Sequence, residues 1–495
     1  TNEKFSVSVL AFKLSQEVNG VSKIHGRVSR EMFQKLYPGY FAEELHVGYV
    51  TNGVHLQTWA SKSWQQLYKN EFGEEFLENQ TNPDYWSKIH QVPDETIWHL
   101  RLKQKKQLID YLEFRLTEDL TRRNENPKLI FKILDNFKED ALTIGFARRF
   151  ATYKRAHLLF SNIERLSKLV NNEKMPVQFV FAGKAHPNDK AGQDFIKMIY
   201  EVSKMPEFVG KIIFLENYDI ELAKYLIRGV DVWLNTPTRP MEASGTSGEK
   251  AIMNGVVNFS VLDGWWAEGY KANAGWALKE EATYENTDFQ NALDAETIYT
   301  IFEEEIIPTY YNRDASNIPT KWISYVKNTI SEIAPHFTMK RQLDDYFRKF
   351  YNKLFVRNTL LCDDNFALAR EIAHWKRKVI RSWDSIEVLQ MSLPDSTQKP
   401  LVLGENFKAE IIIQPNELSG VDLGIEVLFG QKVNDEVKKP IFTYEMSAEK
   451  LENGTIKFKC DIPANTAGVY DYAFRMYPKH RHLPHILDFN LLKWL

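Results

Sequence analysis

The chain has 495 residues, 43% of them hydrophobic and 26% charged, a balance too apolar for a disordered polypeptide and long enough for about three domains. A formal net charge of −3 excludes a broad attraction to nucleic acid or to an anionic membrane, and no apolar run is long enough to read as a transmembrane helix. Two cysteines, Cys362 and Cys460, lie far apart and out of metal-ligand spacing. That argues against a disulfide framework or a metal site and fits a reducing, cytoplasmic compartment.

The chain opens on Thr1, with no signal-peptide pattern, and a strand-like apolar run follows almost at once. This start reads as the middle of a domain and points to a piece of a longer chain. Up to residue 95 the pattern is weak. Asn19-Gly20 and Asn52-Gly53 read as tight turns or ordinary loops.

From about 127 to 270, short apolar runs alternate with helical patterns. The expected strands are Leu142 to Phe146, Val177 to Ala182, Lys211 to Leu215, Val230 to Leu234 and Val256 to Leu262. Amphipathic stretches such as Ala156 to Val170 and Asp189 to Met205 lie between them. This alternation predicts an α/β fold, a doubly wound parallel sheet with helices on both faces. Too few repeats are visible to close a barrel. Ligands of such sheets bind at the carboxyl ends of the strands. From 295 to 390 the spacing is helical, over Ile298 to Ile307, Trp322 to Ile333, Met339 to Phe355 and Ala367 to Trp383. After a linker at Ser392 to Pro400, alternating runs at Ala409 to Gln414, Gly424 to Phe429, Ile456 to Cys460 and Val469 to Phe474 predict an antiparallel β-sandwich.

The densest chemical signal runs from Arg239 to Gly255. It follows an expected strand and opens a helix. Glycines there allow close backbone approach, and the free N–H groups of the helix start make an anion site. Thr246 and Glu249 have capping-box spacing. Lys250 lies one turn inside, where it can pair with a phosphate or form an imine with an aldehyde. A well-capped helix after a glycine-rich loop explains the same residues without a ligand.

The run Glu242-Ala-Ser-Gly-Thr-Ser-Gly-Glu-Lys250, with Asn254-Gly255 and Leu262-Asp-Gly264, closely resembles the cofactor segment of the glycogen and maltodextrin phosphorylases. The resemblance implies that Lys250 holds pyridoxal 5'-phosphate as a Schiff base. It implies that Thr246, Ser247 and Tyr218 lie against the cofactor, and that Glu242, Ser244 and Gly245 hold sugar hydroxyls. Gly145-Phe-Ala-Arg-Arg-Phe-Ala-Thr-Tyr-Lys-Arg155 resembles the family's basic loop, with Arg149 matching the substrate-phosphate arginine, Lys154 the lysine near the cofactor phosphate and Tyr153 a tyrosine beside sugar and phosphate. Clustered cations at a strand end can hold two phosphates that otherwise repel. Taken alone, such a basic run is more often a solvated face.

Phe214 to Ile220, Ala182 to Ala185, Asn19 to His25 and Thr51 to His55 also match. His25 and His55 read as packed or hydrogen-bonded histidines. Ala151 stands where the better-known branch has a histidine, so contacts of that side chain near the acceptor are absent or rearranged. His480, His482 and His485 lie near one another without cysteine, a weak basis for a metal site.

The resemblance implies a GT-B-type arrangement. Residues 1–95 are then the tail of an N-terminal domain, 96–391 a cofactor-bearing Rossmann-like domain with trailing helices, and 399–495 the β module. The implied reaction is retaining phosphorolysis of terminal α-1,4-glucosidic bonds by orthophosphate, releasing glucose 1-phosphate from glycogen or maltodextrin. No metal, nucleic-acid or membrane partner is expected from charge, hydropathy and ligand spacing, and a homo-oligomer stays open. The rival expectations are a nucleotide-sugar glycosyltransferase of the same fold and an inactive glucan-binding piece.

Overall fold

The computed structural model describes residues 5–278, 284–394, 403–433, 436–465, 467 and 469–495. The chain divides into two compact units: residues 20–25 with 49–346, and residues 1–19 with 26–48 and 347–495.

The first unit is organised by a parallel sheet. Its strands are β1 (Leu142–Ala147), β2 (Val177–Ala182), β3 (Ile212–Leu215), β4 (Val232–Asn235), β5 (Val257–Val261) and β6 (Gly275–Leu278). Their order is β3-β2-β1-β4-β5-β6, with every neighbouring pair parallel. Five of the six strands are buried at every residue, as a sheet covered on both faces requires. That is why they read as continuous apolar runs. β6 was not expected. Four residues opening on a glycine carry too little pattern to register.

The order reverses between β1 and β4, so the crevice at the carboxyl ends of those strands is the expected ligand position. The helices here are α1 (Asp94–Arg122), α2 (Ile163–Val170), α3 (Lys190–Ser203), α4 (Ile220–Gly229) and α5 (Thr246–Ile252). The caps of α2, α3 and α4 are side-chain oxygens of Asn162, Asp189 and Asp219, which satisfy N–H groups the helix leaves open. At the opposite, amino end of the sheet a buried cluster ties α1 to the strands. Lys105 Nζ lies 2.5 Å from Asp231 and donates to Ala141 O and the Tyr310 hydroxyl, while Arg101 donates to the carbonyls of Arg228 and Asn254.

The second unit holds α6 (Asn352–Ser382) and the strands β7 (Glu387–Ser392), β8 (Asn406–Gln414), β9 (Leu423–Val433), β10 (Glu436–Glu445), β11 (Ser447–Lys450), β12 (Ile456–Pro463), β13 (Asp471–Pro478) and β14 (Lys493–Trp494). Among the described residues they form two antiparallel sheets, ordered β11-β12-β8-β7 and β10-β9-β13-β14. Ile411 and Phe458 from one sheet share an apolar cluster with Val427 and Phe474 from the other, and with Trp375 and Val379 of α6. The early apolar run expected to be extended is instead the helix Val7–Leu14, capped by Ser6. No helix among the described residues is long and apolar enough to cross a membrane.

Candidate active site

Two loops meet at the carboxyl ends of β1 and β4. After β1 the chain stays extended through Phe150, which bridges to Ala185. Side chains alternate along such a segment. Phe150 is buried and Arg148 turns inward, leaving Arg149 exposed. A single 3-10 turn, Thr152–Lys154, then buries Lys154. The next residue, Arg155, adopts a left-handed backbone at φ 47°. Its guanidinium locks that turn, donating to the carbonyls of Thr236 and Pro237 and pairing with Asp294 at 2.5 Å.

The loop after β4 brings Glu242 to the same place. One of its carboxylate oxygens accepts from Lys154 Nζ at 2.5 Å and from Arg148 Nη2 at 2.8 Å. The remaining guanidinium nitrogens of Arg148, Nε and Nη1, are buried without a hydrogen-bond acceptor among the described residues. Burial lowers the pKa of Arg148, against the attraction of Glu242, Tyr153 and Tyr218. Tyr218 is itself pushed up to about 12 by burial, with Arg148 acting the other way. Tyr153 lies under Lys154, whose Nζ is 4.5 Å from the ring centroid.

The Glu242 loop is held from behind by Asp263. Its two oxygens accept the backbone N–H groups of Glu242 at 2.9 Å and Gly264 at 2.8 Å, and Trp265 N–H donates to Ser244 O. Ser244 Oγ accepts from Asn52 Nδ2 at 3.1 Å. In sequence Asn52 stands in a turn-like dipeptide and in the matching segment Thr51 to His55, neither of which assigns it a partner. Gly53 does not take a positive φ; a Cβ there would lie 2.3 Å from Thr338 O, so the glycine serves close backbone approach.

The helix α5 begins at Thr246, but not by the expected capping box. Gly245 is the cap, at φ 92°, with no side-chain hydrogen bond. Glu249 does not reach back, and both of its oxygens are buried without a donor among the described residues. Ser247 Oγ accepts from Trp233 Nε1 at 3.1 Å. Gly248 is packed so closely that a Cβ would lie 2.6 Å from Asn258 Oδ1 and 2.7 Å from Trp265.

Lys250 is half-buried, with Nζ 4.1 Å from the Trp59 ring centroid, a cation–π contact. Burial lowers its pKa. The cap of α5 lies against Glu242: a Cβ at Gly245 would be 3.6 Å from Glu242 Cγ. Of the expected residues, Lys154, Tyr153 and Glu242 lie together, Ser244 is tied to Asn52, and Arg149 faces outward without a hydrogen bond or ion pair among the described residues.

The chain matches the family described as carbohydrate phosphorylase over residues 1–367. It belongs to that family. Residues 383–495 match the glycogen phosphorylase C-terminal domain, which accounts for the two antiparallel sheets. The chain is 39% identical to a maltodextrin phosphorylase of Thermococcus litoralis over 99% of its own length and 57% of that relative. It is 44% identical to a glycogen phosphorylase of Aquifex aeolicus over 71% of this chain and 50% of the relative. The human liver form of glycogen phosphorylase is 25% identical over 58% of this chain and 32% of the relative. The chain thus spans about half the length of the first two relatives.

Outside this site, His25 Nδ1 accepts from Val21 N and His55 Nδ1 lies 2.8 Å from Thr58 Oγ1. His480 packs on Trp375, and His485 Nε2 lies 2.9 Å from Gln16 O. No group of three potential metal ligands occurs among the described residues.

Proposed function

We propose that this chain is the cofactor-bearing portion of an α-glucan phosphorylase, which cleaves terminal α-1,4 bonds of glycogen or maltodextrin with orthophosphate to release α-glucose 1-phosphate. The observation that carries the reading is the meeting of buried Lys154 and Arg148 on Glu242 beside the helix that presents Lys250. Two cations facing one carboxylate leave positive charge uncompensated, and two Arg148 nitrogens have no acceptor among the described residues. Such a site suits phosphate oxyanions.

The residues also fit pyridoxal 5'-phosphate. Lys250 supplies an amine whose basicity is lowered by burial. The glycine-flanked start of α5 allows a ligand close to backbone N–H groups, and Arg148 supplies donors. Bound there, the cofactor would supply a second phosphate group able to exchange a proton with the substrate phosphate. The protein's part is positional. Lys154 and Arg148 hold phosphate charge, Glu242 and Ser244 orient the sugar, and the buried walls exclude water. Fixed charges in a dry site need no reorganisation as charge develops. The Rossmann-like sheet is read as one half of a GT-B cleft, and the two antiparallel sheets as a sandwich.

Borohydride reduction of the full-length protein, followed by peptide mapping, is expected to place a pyridoxyl label on Lys250. Maltodextrin with orthophosphate should yield glucose 1-phosphate. A label elsewhere, or none, overturns the cofactor assignment. Turnover of a nucleotide-sugar without phosphorolysis would favour the glycosyltransferase reading.

A further inference from the structure

The helix that carries Lys250 buries a second ionisable group. Glu249 is 0% exposed, and neither carboxylate oxygen has a hydrogen-bond donor among the described residues. Consecutive helical residues point about 100° apart. The Lys250 amine therefore goes to the Trp59 ring while the Glu249 carboxyl goes into the core.

Among the described residues, no group donates a hydrogen bond to it. Arg341, the stronger of the two cationic influences on it, spends its guanidinium on the carbonyls of His336, Thr51 and Asn52 and on Asp345. Glu268 adds like charge and is engaged by Thr51 Oγ1 and Lys23 N. Of the elements packed on α5, α4 brings Arg228, whose guanidinium donates to the carbonyls of Thr58 and Trp59. The strands β4 and β5 and the turn Leu56–Trp59 bring no charged side chain. Thr329–Ile333 brings the exposed Glu332, and Ala334–Phe337 brings His336, whose protonation burial disfavours.

We propose that Glu249 is held as a neutral carboxylic acid at pH 7 and thereby keeps Lys250 a weakly basic amine, ready to condense with a carbonyl. The proposal rests on the reading of Lys250 as the cofactor lysine. A carboxyl buried without a donor disfavours its charged form. Burial pushes Glu249 up to about 8, opposed by Arg341 and Lys250 and reinforced by Glu268. A charged Glu249 acts on Lys250 in the opposite sense to burial, raising its basicity. The acid is thus silent near neutrality and makes Lys250 more basic once pH passes its own titration.

The sign for stability follows. The folded pKa lies above the unfolded one, so the native state binds the extra proton, and stability is lost as pH rises from the ordinary carboxylate range through about 8. The test compares the cofactor-stripped full-length protein, in which the Lys250 amine is free, with its Glu249→Gln and Glu249→Met variants, reading two quantities from pH 6 to 9.5. One is the reactivity of Lys250 with limiting labelled acetic anhydride, by peptide mass spectrometry. Wild type and E249Q should agree at pH 7, and E249Q should react on the order of threefold faster at pH 9, where the wild-type carboxylate makes Lys250 more basic. The other is the thermal midpoint, which both variants should raise by about 2 °C or more at pH 8, the gain shrinking toward acid pH. A variant that is less stable at pH 7, with a more reactive Lys250 there, would show Glu249 to be a charged partner and overturn the proposal. Coincident reactivity profiles at every pH would do so too. A wrong cofactor reading has a different signature: no pyridoxyl label on Lys250 in any variant, with the acetylation and thermal patterns intact.

Discussion

Lys154 and Glu242 lie 88 residues apart in sequence and 2.5 Å apart in the fold, Nζ to Oε2, and both side chains are buried. The pair joins the loop after β1 to the loop after β4 across the point where strand order reverses. Arg148 completes it from the same loop as Lys154, so the carboxylate is shared by two cations that would otherwise repel each other.

Glu242→Gln removes the one negative charge from this trio. Phosphate should then bind more tightly while the sugar loses its oriented acceptor. On the proposed function, the variant lowers KM for orthophosphate about threefold to tenfold at low ionic strength and lowers kcat by about a hundredfold. Steady-state kinetics with orthophosphate varied at two salt concentrations checks this. An unchanged KM for phosphate with reduced kcat would mean that Glu242 does not compete with the anion for Lys154 and Arg148.

Asn52→Ala removes the donor to Ser244 Oγ and the acceptor for Gln342 Nε2. The backbone of Asn52 stays fixed by Arg341, so the loss should be local. The expected result is a thermal midpoint within about 3 °C of wild type, with a rise of about tenfold in KM for glucan and little change in KM for phosphate. Global unfolding of the variant would show that the contact is a structural strut and not a means of orienting Ser244.

Much of this site was legible because its chemistry is local. The glycine-flanked segment ending at Lys250 and the basic loop through Lys154 both follow strands that announce themselves as buried apolar runs. What was not legible depends on backbone path. Adjacent arginines at 148 and 149 are equivalent in spacing, and only the extended course into buried Phe150 decides which turns inward. The Thr246–Glu249 spacing suggested a capping box, but Gly245 already caps the helix in a left-handed conformation, freeing Glu249 to enter the core. Asn52 and Asp263 act through partners 192 and 21 residues away, separations that no local pattern encodes.

Asp263 gives the site an acid-side signature. Burial raises its pKa to about 6, while the N–H groups of Glu242 and Gly264 pull the other way. The folded value lies above the unfolded one, so the associated stability is present at low pH and lost as pH rises through about 6. Asp263→Asn abolishes that titration at the cost of one acceptor. The slope of unfolding free energy between pH 4.5 and 6.5 should be less negative in the variant, by a total on the order of 2 kcal/mol across the window. Parallel slopes from urea unfolding would rule out Asp263 as the titrating group.

Beneath the sheet, the Lys105–Asp231 pair is fully buried and satisfied, with Ala141 O and the Tyr310 hydroxyl taking further Lys105 donors. Lys105→Met leaves Asp231 charged in the core and should cost about 3–5 kcal/mol. The double variant Lys105→Met with Asp231→Leu should recover part of that loss, since it removes both partners of the pair, but buried Arg101, whose Nη2 lies 3.9 Å from Asp231, then loses its carboxylate. Denaturant unfolding of the two variants decides it. A double variant as unstable as the single one would place the loss in what Asp231 does for the Thr143 N–H and for Arg101 and not in its pairing with Lys105.

The second unit offers an independent test of the same physics. Arg475 is buried at 3% exposure, with Nε 2.6 Å from Glu426 and Nη1 3.0 Å from Glu44. Burial raises the pKa of Glu426, and Arg475 is the group that opposes it. Arg475→Met removes that opposition, so the folded pKa of Glu426 rises further above its unfolded value. The variant then loses stability as pH climbs through that widened window, and the loss is smaller where orphaned Glu426 can take up a proton. The expected cost is about 3–5 kcal/mol at pH 7 and clearly less at pH 5. Urea unfolding at both values, followed by a probe of the β-sheets, measures it. Equal losses at the two pH values would mean that Glu426 stays ionised after Arg475 is gone, by water reaching it or by the sheets parting around it.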